Sequence, residues 1–440
     1  MNALDFIHKN SLQEGELVEV QAATKIFTAY VMPSKDEILS LKAKSGYNFG
    51  LNVNTITGIK KLGEKKQVGK PVIKKIEQNN SLPKISILHT GGTIASRVDY
   101  VTGAVNARFN AEDLLSMFPE LFELAQIETK LIANMMSEDM RFSNYQAIAK
   151  AVKEETAKGA KGIIVGHGTD TLHYTASALS FMLENCPIPV LLVGAQRSSD
   201  RGSTDAALNL LSAAYFITQT DFAGVAICMH ENSSDDNCTI ISGTHARKLH
   251  TSRRDAFKTV NDIPIASVNF KEKKIDYLKK DYSKKSTSEL IIKEKLESKV
   301  GLLKAYPNMQ KEQFEFFEKQ GYKGFVLEGT GLGQAPTNTL ENQPNYEALK
   351  SFISKGGIVV LTSQCIFGRV DPFVYSEARK LYDLGIIFSE NMTTETAYIK
   401  LAWLLGNYPK DQVKKLFAEN LRGEITERTE FDSFDLPKQN

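Results

Sequence analysis

Between residues 1 and 80, apolar and polar positions alternate in short runs. ELVEVQA, KIFTAYVM, EILSLKA and YNFGLNV each read as a strand with one buried face, and turn-formers such as Lys44-Ser45-Gly46 separate them. Short strands in close succession predict a small β-barrel over 1–80. The texture changes at Lys84. ISILHT, GIIVGHG, PVLLVGAQ and GVAICMH are strand-like apolar runs that alternate with helical patterns. One helix is predicted from Ser143 to Lys158, with Ser143 as N-cap and Gly159 as stop; a second begins near Thr171, with Leu172, Ala176, Leu179 and Leu183 on its buried face. Such alternation implies βαβ units and a mainly parallel sheet, a large α/β domain over 84–270.

The lysine-rich, poorly periodic stretch 271–300 reads as a solvated linker. Beyond it GFVLEGTG, GGIVVLTSQ and LGIIFS alternate with helices again, the clearest being Thr394–Leu405 with Gly406 as its stop. A smaller C-terminal α/β domain over 301–440 follows. A length of 440 residues accommodates this division.

Composition narrows the function classes. With 42% hydrophobic and 24% charged residues the chain has the make-up of a folded soluble protein. Its net charge of +2 is too balanced for general nucleic-acid affinity, although residues 1–80 hold 12 Lys against 8 Asp and Glu, a local +4. A solvated linker accounts for the lysines near the end of this region, and an RNA-backbone contact is the alternative. Cys186, Cys228, Cys238 and Cys365 form no CxxC pair, which fits a reducing compartment. MNALDFIHKN has no secretory character and no 18-residue apolar span occurs, so a cytoplasmic protein without a membrane anchor is expected.

Two glycine-rich strand exits carry candidate chemistry. His89-Thr90-Gly91-Gly92-Thr93 follows the apolar run Ile85–Leu88, and Gly166-His167-Gly168-Thr169-Asp170-Thr171 follows Ile163–Val165. Open α/β sheets bind ligands at the carboxyl ends of their strands, so Thr93 and Thr169 can face one cleft. Asp170 or Thr171 would also suit a helix cap. A threonine hydroxyl is a weak nucleophile and needs a proton acceptor. The candidate lies in Ala246-Arg247-Lys248-Leu249-His250-Thr251, where a lysine held beside a carboxylate can exchange a proton with Thr169.

Together HTGGTIAS, GHGTDTLHYTA and RKLHTSRRDAF resemble, in order and spacing, three motifs of the asparaginase/glutaminase family of amidohydrolases. The resemblance covers about 84–440 and implies the asparaginase-like two-domain α/β fold. It implies that Thr93 and Thr169 are the catalytic threonines, with Asp170 and Lys248 as partners of Thr169. It places Tyr100 beside Thr93, Ser137 at the α-amino and carboxylate end of the substrate, and Gly168 in the substrate loop. Glu138 stands where many asparaginases have Gln, and it could hold the substrate's α-ammonium. Leu332 and Gln334 stand where asparaginases often carry asparagines.

Free asparaginases usually begin almost at the HTGGT-like strand. A basic β-domain ahead of the core resembles instead the glutaminase components of archaeal glutamyl-tRNA(Gln) amidotransferases. That likeness implies glutamine as substrate, an ATP- and magnesium-using partner (the amidotransferase's E subunit), Glu-tRNA(Gln) reached through the complex, and a homodimer within a heterotetramer. A free L-asparaginase and a catalytically silent tRNA-positioning protein are the alternatives. No cofactor or metal is expected in this chain. His167 and His173, and His245 and His250, lack the spacing of a helical zinc site, and GTGLG at 329–333 is not a nucleotide fingerprint. Trp403 is expected in the core.

Overall fold

The computed structural model describes the chain apart from residues 1, 24, 44–47, 66–77, 92–95, 99–104, 108–117, 198–203, 430–433 and 435–440. The four predicted N-terminal strands form at Glu16–Ala22, Lys25–Val31, Ile38–Ala43 and Asn48–Asn52, and a fifth at Ile56–Lys65. They make an antiparallel sheet in the order Asn48–Asn52, Ile38–Ala43, Lys25–Val31, Glu16–Ala22, Ile56–Lys65. Alternation does what period two requires: Val18, Val20, Ala29, Val31, Leu39 and Leu41 point inward against Phe6 of the helix Ala3–Lys9. The expected barrel differs from this sheet in one respect. Among the described residues the two edge strands are not paired with each other, so the sheet is open.

The next sheet has eight strands. Gln126–Met135, Lys84–Gly91, Gly162–Gly166, Pro189–Val193 and Gly224–His230 run parallel, with helices Phe142–Ala157 and Leu172–Met182 packed on one face and Ala206–Gln219 on the other. The sheet is mixed rather than parallel throughout. Cys238–Ser242, Ala266–Asn269 and Lys274–Tyr277 add antiparallel to its far edge. The loop 231–237 is too short for a crossover, so the chain must double back there. The stretch expected as a linker thus supplies an edge strand, and its Ile291–Ile292 pairs with Leu183–Glu184.

A four-stranded parallel sheet follows, in the order Val300–Lys304, Gly324–Gly329, Ile358–Ser363, Ile387–Phe388. Helices Leu172–Met182 and Thr394–Asn407 lie between the two α/β sheets. One hydrophobic core joins Leu179, Val190, Val326, Val360, Leu401 and Trp403 across them. Trp403 is core, as expected, and its indole N–H donates to the Lys293 carbonyl.

Two helix boundaries differ from expectation. The helix predicted from Ser143 begins at Phe142, because the Asn144 side chain accepts from the Arg141 N–H and closes the first turn from there. The helix expected to stop at Gly406 continues to Asn407. A Cβ on Gly406 would lie 2.8 Å from the Lys295 carbonyl carbon and oxygen, so this glycine permits close chain approach rather than ending the helix. No helix among the described residues is long and apolar enough to cross a membrane.

Candidate active site

Three parallel strands end level with one another. Gly166 is paired with both His89 and Val193, and the Thr90 hydroxyl donates to the Gly166 carbonyl at 3.0 Å. Gly91 leaves its strand at φ +99°, where a Cβ would sit 2.5 Å from the Met135 carbonyl oxygen. Only glycine meets both demands, which explains the first glycine of the HTGGT motif. Thr93 and Tyr100, two of the expected site residues, lie outside the described residues.

Thr169 is held tightly. It is buried, and its methyl fills the space a Cβ on Gly194 would need, 2.7 Å away. Gly168 admits Ser137 in the same manner, since a Cβ there would lie 2.8 Å from the Ser137 Cβ. Thr171 does not cap its helix with its side chain; its hydroxyl donates to the Ser137 carbonyl at 2.6 Å. The Ser137–Asp139 turn is thereby docked on the 168–171 loop, with Ser137 buried and Glu138 exposed.

Lys248 arrives from the hairpin of strands Ala246–Lys248 and Phe257–Thr259. Its ammonium donates to Thr169 Oγ1 at 2.9 Å and to Asp170 Oδ1 at 2.7 Å. The lysine side chain is 9% exposed and the Asp170 side chain 65%, so the pair runs from a desolvated amine to a hydrated carboxylate. A hydroxyl oxygen that accepts from a cation is cheaper to deprotonate, and Asp170 balances the lysine charge. The three residues singled out by sequence are therefore in direct contact, and Gly168 and Ser137 adjoin them.

Histidines surround this group without charge at neutral pH. Burial lowers the pKa of His89 and of His167 to about 4. Burial, then the Arg247 and Lys248 charges, lowers His173 to about 3. Among the described residues no group of three or more His, Cys, Asp or Glu side chains is arranged to hold a metal ion. Sequence reasoning missed Glu395, from the C-terminal domain, which pairs with Arg247 at 3.1 Å. Its place in the first turn of a helix was visible, but its partner was not.

Two regions of the chain match known families. Residues 84–283 match the profile described as Asparaginase, N-terminal, and 299–417 match the Glutaminase/Asparaginase C-terminal domain. The chain is 43% identical over 440 residues to the D subunit of a glutamyl-tRNA(Gln) amidotransferase of Thermococcus kodakarensis, covering 98% of each chain. It is 45% identical over 418 residues to a protein of the same description from Methanococcus maripaludis, covering 94% of this chain and 98% of the relative. Among solved structures, the thermostable L-asparaginase from Thermococcus kodakarensis superposes with a TM-score of 0.69 at 31% identity, covering 78% of this chain and 100% of that one. The L-asparaginase I of Vibrio cholerae gives 0.68 at 29% identity, covering 78% and 99%. Whole asparaginases thus leave about a fifth of this chain unmatched, whereas the amidotransferase relatives account for almost all of it. The chain belongs to the asparaginase/glutaminase family and, within it, to the glutamyl-tRNA(Gln) amidotransferase D subunits.

Proposed function

We propose that this chain is the glutaminase of a glutamyl-tRNA(Gln) amidotransferase, releasing ammonia from glutamine for a partner that converts Glu-tRNA(Gln) to Gln-tRNA(Gln). The observation that carries the reading is the contact of Lys248 with both Thr169 and Asp170 at a strand exit. The near full-length likeness to amidotransferase D subunits, N-terminal domain included, selects this reading over a free asparaginase.

In this reading Thr93 and Thr169 supply the reacting hydroxyls. Thr93 Oγ attacks the carboxamide carbon of glutamine, its proton passes to the leaving nitrogen, and ammonia departs from an acyl-ester intermediate. Water then cleaves the ester to glutamate, oriented by Thr169, Lys248 and Asp170. Backbone N–H groups near 91–93 or 168–169 stabilise the oxyanion. Ser137 and Glu138 hold the amino-acid end of the substrate, and Tyr100 positions Thr93. Hydrolysis here uses no metal or nucleotide; ATP and magnesium act in the partner, the E subunit of the amidotransferase. A cytoplasmic homodimer within a heterotetramer completes the proposal.

The test is ammonia release by the purified chain from glutamine and from asparagine, alone and with the partner and Glu-tRNA(Gln). Low activity alone with strong stimulation by the complex is expected. Rapid asparagine hydrolysis unchanged by the partner would show a free asparaginase, and no release under any condition would show a silent tRNA-positioning protein.

A further inference from the structure

Lys248 is the last residue of a three-residue strand, and the residue before it faces the other way. Lys248 reaches Thr169 and Asp170; Arg247 reaches Glu395, Nη2 to Oε1 at 3.1 Å. Glu395 belongs to the first turn of helix Thr394–Asn407, where exposed N–H groups favour a carboxylate. Its side chain is 9% exposed, so its charge is largely removed from water.

The same turn holds both segments that carry the Thr169 group. The Thr396 hydroxyl donates to the Thr244 carbonyl at 2.8 Å, just ahead of the Lys248 strand. It also meets the Ser177 hydroxyl at 2.9 Å, on the helix that begins directly after Asp170 and Thr171. His173, in the first turn of that helix, has its Nε2 4.0 Å from the Glu395 oxygen that Arg247 binds. One turn of the C-terminal domain therefore stands behind both arms of the Lys248–Thr169 contact. Burial raises the Glu395 pKa, and the Arg247 charge counters it, which keeps the pair mutually dependent.

We propose that Glu395 is a positioning residue for the amidase reaction: through Arg247 it fixes the Lys248 strand against Thr169, so a turn of the C-terminal domain sets the geometry of the Lys248–Thr169 contact. The inference rests on the reading of Lys248 and Thr169 as catalytic. A displacement of a catalytic group by about 1 Å is enough to cost up to a hundredfold in rate. A pair that acts through Lys248 rather than on the substrate should alter kcat and leave KM unchanged.

The experiment measures ammonia release from glutamine and asparagine by the chain in its complete complex, with thermal midpoints for every variant. Glu395→Gln and Arg247→Met should each lower kcat by about tenfold or more, with KM within twofold. The double variant should be no worse than the poorer single one, and Arg247→Lys should recover most of the rate. Arg247, the more exposed partner, carries the test if Glu395→Gln does not fold. Near-normal kcat in both singles, or additive losses with a parallel rise in KM, would overturn the inference. Lys248→Met runs alongside: if that variant is fully active, the catalytic reading fails instead.

Discussion

Replacing Lys248 by methionine separates catalysis from stability in a way the structure makes calculable. Methionine keeps most of the apolar stem that lies buried beside Thr169 and loses only the ammonium. The carboxylate left behind, Asp170, has a side chain that is 65% exposed and is rehydrated, so no buried charge is orphaned. Breaking a pair whose carboxylate is solvated costs about 1 kcal/mol, and the lost hydrogen bond to the Thr169 hydroxyl about 1 kcal/mol more. The thermal midpoint should then fall by only a few degrees. The chemical step should suffer far more. A positioned proton-transfer group contributes about 10²- to 10⁴-fold, or about 3–5 kcal/mol of barrier. Ammonia release at saturating glutamine in the assembled complex, set beside a thermal melt of the same sample, gives both numbers. Because the residues act as a unit, Thr169→Val combined with Lys248→Met should be little worse than either alone. A kcat within tenfold of the parent, or a midpoint drop so large that it accounts for the lost activity, would refute the assignment.

Gly91→Ala should lower stability by about 1–3 kcal/mol and activity with it, since the methyl meets the Met135 backbone at 2.5 Å in a left-handed conformation; an alanine variant with unchanged melting and turnover would show that the strand exit relaxes freely. Lys400 and Glu424 form an ion pair with both side chains fully buried. Lys400→Met should cost about 3–5 kcal/mol in denaturant titration, and adding Glu424→Leu should recover only part of it, because the Leu421 and Arg422 N–H groups then lose the carboxylate they donate to. Equal stability of parent and single variant would contradict this. His89, His167 and His173 have folded-state pKa values below the ordinary 6.5, so between about pH 6.5 and 5 the unfolded chain takes up protons that the folded chain refuses. Stability from these groups is complete above pH 6.5 and declines on acidification, by about 1.4 kcal/mol per proton per pH unit. Melts at pH 7.5, 6.5, 5.5 and 5 should show falling midpoints, and a flat or rising series would mean the rings are hydrated.

Local pattern carried the reading of this chain wherever structure is locally decided. The strand Glu16–Ala22 and the stop at Gly159, with φ +89°, follow from alternation and from glycine's conformational freedom. The grouping of Thr169, Asp170 and Lys248 was legible in part from chemistry, because a threonine at a strand exit calls for a proton acceptor. A lysine beside a carboxylate answered that need, and family likeness paired Lys248 with Thr169, since no spacing rule connects positions 79 residues apart. The mainly parallel sheet was read from the alternation, but its antiparallel edge was not, although part of it was readable. CTIIS is as uniformly buried as the parallel strands, so its pattern says nothing of direction; the short loop 231–237 before it does.

Glu395 marks where local reading ends. Its neighbours Thr393, Thr394 and Thr396 announce a helix start, and a carboxylate in that first turn is satisfied, on local grounds, by the helix itself. Nothing in TTET distinguishes a glutamate that serves only its own helix from one that holds another domain's strand. The difference arises from packing: helix Thr394–Asn407 lies between the two α/β sheets, so its N-terminus is delivered to the base of the Lys248 hairpin. A carboxylate at a solvated helix end would be worth well under 1 kcal/mol and would tolerate replacement. The same carboxylate desolvated against Arg247 cannot lose its charge without stranding a guanidinium next to Lys248. Burial alone therefore converts an ordinary helix-start residue into one on which a distant strand depends.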